Sequence, residues 1–111
     1  MTRKDLSIEY RGEDQNVAVV RLTRPAKRNA LNDGLVEAIR KAFENMPQSV
    51  RAAVIDGEGE HFCAGLDLSE LSERDAGEGM RHSRSWHVAL ERVQYGPVPV
   101  VAALHGAVVG G

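Results

Sequence analysis

Apolar and polar residues alternate over residues 6–10, Leu6-Ser7-Ile8-Glu9-Tyr10. After the turn residues Arg11-Gly12-Glu13-Asp14 comes a more continuously apolar run, Val17-Ala18-Val19-Val20-Arg21-Leu22-Thr23. A period of two fits a strand with one solvated face and the second run a more buried strand, so the pair predicts a β-hairpin. Pro25 excludes a strand interior over residues 24–28, because proline cannot donate to a ladder. From Asn32 the apolar positions Leu35, Val36, Ile39, Ala42, Phe43 and Met46 fall on one helical face until Pro47 ends the run. Asn29 or Asn32 can cap that helix.

Residues 52–56, Ala-Ala-Val-Ile-Asp, read as a short buried strand closed by Gly57-Glu58-Gly59-Glu60. A loop with an Ala64-Gly65 turn follows, and periodicity leaves residues 66–71 open between helical and extended. The acidic, glycine-containing stretch 72–79 reads as a solvated loop. Residues 80–95 predict a second helix, with Trp86, Leu90 and Val93 on one apolar face. Gly96-Pro97-Val98-Pro99 breaks it, and residues 100–104 predict a buried strand feeding into Gly110-Gly111, where a strand-to-helix turn is expected. Strand-then-helix units in succession predict an α/β fold with a parallel sheet component.

Composition narrows the picture without changing it. At 111 residues, 42% hydrophobic and 27% charged, the chain is sized for one globular domain. Its net charge of -2 gives no global reason to expect nucleic acid or an anionic membrane as partner. The N-terminal residues lack the apolar run of a signal peptide or membrane span, so a cytoplasmic protein is the default expectation. The single cysteine, Cys63, excludes an intrachain disulfide and reads as a small buried filler. His82 and His87 are five apart, not the three or four that place two metal ligands on one helical face, and no metal site is expected. His61 and His105 lie close enough to the small-residue segments to touch a substrate or to cap a turn.

Two segments carry candidate chemistry. Ala64-Gly65-Leu66 and Gly110-Gly111 each offer bare backbone N–H groups from a small-residue turn, and two such donors aimed at one point make an oxyanion hole. Taken alone, Gly110-Gly111 also fits tight packing at a strand-to-helix turn. Arg24, Lys27 and Arg28 form a local cationic cluster in an otherwise slightly acidic chain, a pattern that fits either a solvated loop or a phosphate site.

Four segments, in order and at matching spacing, resemble the N-terminal part of the crotonase superfamily, the enoyl-CoA hydratase/isomerase proteins. They are Arg24-Pro25-Ala26-Lys27-Arg28-Asn29-Ala30-Leu31, then Phe62-Cys63-Ala64-Gly65-Leu66-Asp67-Leu68, then Pro97-Val98-Pro99 with its strand, and Gly106-Ala107-Val108-Val109-Gly110-Gly111. Val98 departs from the lysine usual in the family between the two prolines. The resemblance implies a crotonase-like spiral of ββα units, built as a trimer or a dimer of trimers, with residues 1–111 the N-terminal part of a single core domain. It implies an acyl-CoA thioester as substrate, with coenzyme A part of that substrate and no separate cofactor. The oxyanion donors are then the N–H groups of Leu66 and Gly111. Coenzyme A and substrate are placed against Lys27, Arg28, Ala30, Ala64, Gly65, Leu66, Asp67, Leu68, Gly110 and Gly111, and Trp86 is a candidate to border the acyl pocket and limit acyl size, a plain core residue being the alternative. Asp67 is expected to organise its turn rather than to act on substrate. The family's acid and base glutamates fall beyond Gly111. Hydration of an enoyl-CoA is the leading expectation. Isomerase, dehalogenase, thioester hydrolase and decarboxylase reactions, and a non-catalytic crotonase-fold binding protein, are the alternatives.

Overall fold

The computed structural model describes residues 5–68 and 79–110 in full and residues 2, 3 and 76–78 as backbone. Among the described residues five strands, β1 (Thr2–Arg3), β2 (Leu6–Arg11), β3 (Val17–Leu22), β4 (Ala52–Gly57) and β5 (Val100–Ala102), form one sheet in that spatial order. The predicted hairpin is its antiparallel half: β2 and β3 pair from Leu6↔Leu22 to Arg11↔Val17, and β1 adds to the β2 edge. The other half is parallel, with β4 beside β3 (Val17↔Ala52 to Leu22↔Gly57) and β5 beside β4. Parallel neighbours need a long return connection. Helix α1 (Asp33–Glu44) lies in the one between β3 and β4, and α2 (Ala76–Gln94) in the one between β4 and β5.

The core follows from the two periodicities. Ala18, Val20 and Leu22, alternate residues of β3, are almost wholly buried and join one cluster with Leu6, Ala53, Cys63 and Ala89 and with Leu35, Val36 and Phe43 of α1. Cys63 is thus the small core residue expected, its sulfur 3.4 Å from the Gly65 amide. Across the parallel pair Arg21 meets Asp56 in register, with two hydrogen bonds of 2.9 Å. The two helices are fastened to one another by Arg92–Glu44 (3.2 Å) and by His82 Nδ1, 2.7 Å from Asp33 Oδ1. Among the described residues no helix is long and apolar enough to cross a membrane.

Of the two possible caps, Asn32 is the one used. Its Oδ1 accepts the Leu35 N–H at 2.8 Å, satisfying one of the donors that a helix start leaves unpaired. Three expectations are corrected. The second helix begins at Ala76, four residues before the predicted start, so the last part of the expected 72–79 loop is helical despite Gly77 and Gly79. Tertiary docking of the helix outweighs the roughly 1 kcal/mol helix penalty of each glycine. Leu90 is exposed, and among the described residues of α2 Ala89 is the buried one, with Trp86 and Val93 packed against the core beside it. Finally, the last strand is three residues long rather than five, and Val101 and Leu104 are 64% and 58% exposed, because β5 is the edge strand of the sheet. Residues 69–75, which include the second half of the 66–71 segment that fits either helix or strand, lie outside the described residues.

The cap makes a prediction in two directions. Asn32→Ala removes a paired cap and is expected to cost about 1 kcal/mol. Gly34→Ala, at an exposed first-turn position whose new Cβ meets nothing nearer than Asn32 Oδ1 at 3.6 Å, is expected to gain up to about 1 kcal/mol. Urea unfolding of the two variants reads both, and equal signs would contradict this account of α1.

Candidate active site

The three parallel strands β3, β4 and β5 all point the same way, and the loops leaving their C-terminal ends meet. These loops span residues 24–31, 58–67 and 105–110, the location where ligands bind in open parallel sheets. Their contact is a short backbone ladder. The Ala64 N–H donates to Arg28 O (3.0 Å), the Leu31 N–H to Gly65 O (2.7 Å) and the Asp67 N–H to Leu31 O (2.9 Å). On the other side the Phe62 N–H donates to His105 O (2.8 Å), the Cys63 N–H to Ala107 O (3.1 Å) and the Val109 N–H to Cys63 O (3.0 Å). The bridges Leu31↔Leu66 and Cys63↔Val108 are both parallel.

Four side chains lock this ladder. Asn29 is 0% exposed and sits at φ 56°, a left-handed conformation that asparagine tolerates better than most residues. Its Oδ1 accepts the Arg24 N–H (2.8 Å), and its Nδ2 donates to Glu58 O (2.9 Å) and His61 O (2.8 Å), tying the first loop to the second. Arg24 turns inward. Its guanidinium lies 3.1 Å from Asp67 and 3.6 Å from Asp5 and also donates to Ala30 O, so it is an internal fastener rather than a third cation of the exposed cluster. His61 Nδ1 accepts the Ala107 N–H (2.9 Å) and His105 Nε2 lies 3.0 Å from Gly59 O, so both histidines join the second loop to the third.

The result is a close approach of two glycines. Gly65 has φ +92°, and a Cβ there would stand 3.0 Å from Val109 O and 3.6 Å from Gly110 Cα. A Cβ on Gly110, at φ +73°, would stand 3.1 Å from Gly65 Cα and 3.8 Å from the Leu66 nitrogen. A side chain at either position would press on backbone that must give way, and neither backbone conformation favours one. The Leu66 N–H, flanked by amides that are engaged, makes no hydrogen bond among the described residues.

An open groove of about 730 Å³ runs along this junction. Lys27, Arg28, Ala30, Ala64, Gly65, Leu66, Asp67, Leu68 and Gly110, nine of the residues named from the sequence, line it together with Ala26 and Val109. Lys27 and Arg28 are exposed at its rim, whereas Ala30, Gly65 and Asp67 are buried in its wall. Gly111 lies outside the described residues. Trp86 does not line the groove. It borders a second pocket of about 320 Å³ that shares Leu66 with it. Sequence reasoning missed the bonds of Asn29 and the inward turn of Arg24, since the decisive partners, Glu58 and His61 for the one and Asp5 and Asp67 for the other, are distant in the chain. The only local hint was an asparagine in excess of the one needed to cap α1.

Asn29→Ala would strand one amide and two carbonyls in the loop junction, and a loss of about 3 kcal/mol is expected on denaturant unfolding. A loss below about 1 kcal/mol would mean that the loops are held by the ladder alone.

Comparison with known proteins places this architecture. The sequence profile of the family described as Enoyl-CoA hydratase/isomerase matches residues 12–111. A solved structure from Rhodopseudomonas palustris, assigned by name to the enoyl-CoA hydratases, superposes with a TM-score of 0.89 at 52% identity, covering 96% of this chain and 40% of that one. The peroxisomal Delta(3,5)-Delta(2,4)-dienoyl-CoA isomerase of Arabidopsis thaliana is 30% identical over 97% of this chain and 44% of its own length. The 4-chlorobenzoyl coenzyme A dehalogenase-1 of an Arthrobacter species is 34% identical over 96% of this chain and 40% of its own. The chain thus spans about two-fifths of the length of the curated relatives it matches. The mixed α/β sheet, the three converging loops and the family match over residues 12–111 lead to one conclusion: this chain belongs to the enoyl-CoA hydratase/isomerase family, and its fold is the crotonase fold.

Proposed function

We propose that the protein carrying this chain is an acyl-CoA enzyme that adds water to an enoyl-CoA thioester, with the thioester oxygen held by the backbone N–H groups of Leu66 and Gly111. The observation that carries this reading is the Gly65–Gly110 approach, which leaves an unengaged Leu66 amide beside the backbone of the glycine segment. Addition of water at the β-carbon drives negative charge onto the thioester oxygen. Preorganised donors in a partly dry cleft stabilise that charge without reorganising, and one such donor contributes about 10²–10³ in rate. If a helix begins at the second glycine, its unpaired amides and dipole add to the same field.

Lys27 and Arg28 at the groove rim supply positive charge for the phosphates of coenzyme A, while Ala30, Ala64 and Gly65 let its pantetheine arm lie close to the backbone. Asp67 is held by Arg24 and shapes the wall. Trp86 limits the acyl group. Asp67, the carboxylate among the described residues that line this groove, is ion-paired with Arg24, and the family resemblance places the proton-transfer glutamates beyond residue 111. A homotrimer or dimer of trimers, in the cytoplasm, completes the proposal. Isomerisation of the double bond needs the same oxygen clamp, and similarity to a dienoyl-CoA isomerase keeps it as the second reading.

Incubation of the full-length protein with trans-2-butenoyl-CoA is expected to give the 3-hydroxyacyl product. A shifted double bond without water uptake would select the isomerase, and no turnover of any enoyl-CoA would reject both. Arg28→Ala is expected to raise KM several-fold, with the effect shrinking as salt increases.

A further inference from the structure

The second pocket differs in character from the groove. Its walls are Leu66, His82, Ser83, Trp86, His87 and Leu90, so three of its six side chains present flat rings. His82 and Trp86 stand one helical turn apart on α2, with ring centroids 5.6 Å apart and planes inclined at 47°. The imidazole is not free to swing, because its Nδ1 is held 2.7 Å from Asp33 Oδ1 at the start of α1. Asp33, His82 and Trp86 thus form a braced aromatic corner on the wall that Leu66 shares with the thioester site.

A flexible alkyl chain entering such a corner loses rotamer freedom and gains only undirected contact. A planar ring conjugated to the thioester has few rotors to lose and can take the offset or edge-to-face geometry that ring pairs prefer, an advantage of about tenfold in affinity. With the thioester oxygen at the Leu66 amide, the atoms beyond the α–β double bond are the ones that reach the corner. We propose that the acyl group is a 3-arylacryloyl group, with His82 and Trp86 the specificity-determining residues and Asp33 a positioning residue acting through His82. This inference rests on the acyl-CoA reading of the groove.

Calorimetric binding of cinnamoyl-CoA and trans-2-nonenoyl-CoA, which both carry nine acyl carbons, to the full-length protein tests it. Cinnamoyl-CoA is expected to bind about tenfold more tightly. That ratio should fall toward one in Trp86→Leu and in His82→Leu, with free coenzyme A as the check that each variant is folded. Asp33→Ala should lower the ratio as well, while Asp33→Asn, which keeps an acceptor for the imidazole N–H, should restore it. Equal or tighter binding of the nonenoyl thioester, or a ratio unmoved in both ring variants, would overturn the aromatic assignment and leave the acyl-CoA reading standing. Failure of coenzyme A and both thioesters to bind would overturn the two together.

Discussion

The buried amide of Asn29 is the constraint on which the rest of the site depends. Parallel strands deliver three loops to one end of the sheet, but loops at strand ends have no ladder of their own, and each backbone group left buried and unpaired costs free energy. Asn29 removes three such groups at once by accepting from Arg24 and donating to Glu58 and His61. With the first two loops tied, the residue 28–31 and 64–67 segments can pair, and His61 passes the connection on to Ala107 in the third. The final step brings Gly65 against Gly110, a contact that works only because both lack a side chain.

This arrangement separates support from chemistry. The side chains with the most elaborate bonding, Asn29, Arg24, Asp67 and His61, act on the protein itself. What faces the groove at its junction is mostly backbone and small residues, with charge confined to the exposed Lys27 and Arg28. A backbone amide cannot rotate away or be titrated, so its direction is set by the fold and needs no reorganisation when charge develops. On the function proposed above, that division would let relatives named for isomerase and dehalogenase reactions share this part of the chain, since a clamp for a thioester oxygen is indifferent to which bond changes next to it.

Local pattern made much of this legible. Period-two alternation gave the hairpin, the 3–4 spacing from Leu35 to Met46 gave α1, and small residues around positions 65 and 110 marked where backbone must come close. What stayed hidden depends on distance. Asn29 and Asn32 are equivalent by sequence, and only the positions of Glu58 and His61 decide that one is a fastener and the other a cap. Arg24 reads as one of three loop cations until Asp5 and Asp67 draw it inward. The start of α2 was misplaced because Gly77 and Gly79 argue locally for a loop, whereas Ala89, Trp86 and Val93 dock the helix against the core.

In the proposed function, backbone amides at the Gly65–Gly110 junction polarise a thioester carbonyl. The most direct measurement is the isotope-edited infrared spectrum of a thioester of coenzyme A, labelled with ¹³C at the carbonyl, bound to the full-length protein. The account predicts a carbonyl stretch moved to lower frequency than in water, and in Gly110→Ala, where a Cβ would press on Gly65 and approach the Leu66 nitrogen, a return toward the solution value. A bound thioester whose carbonyl frequency matches that in water would contradict it.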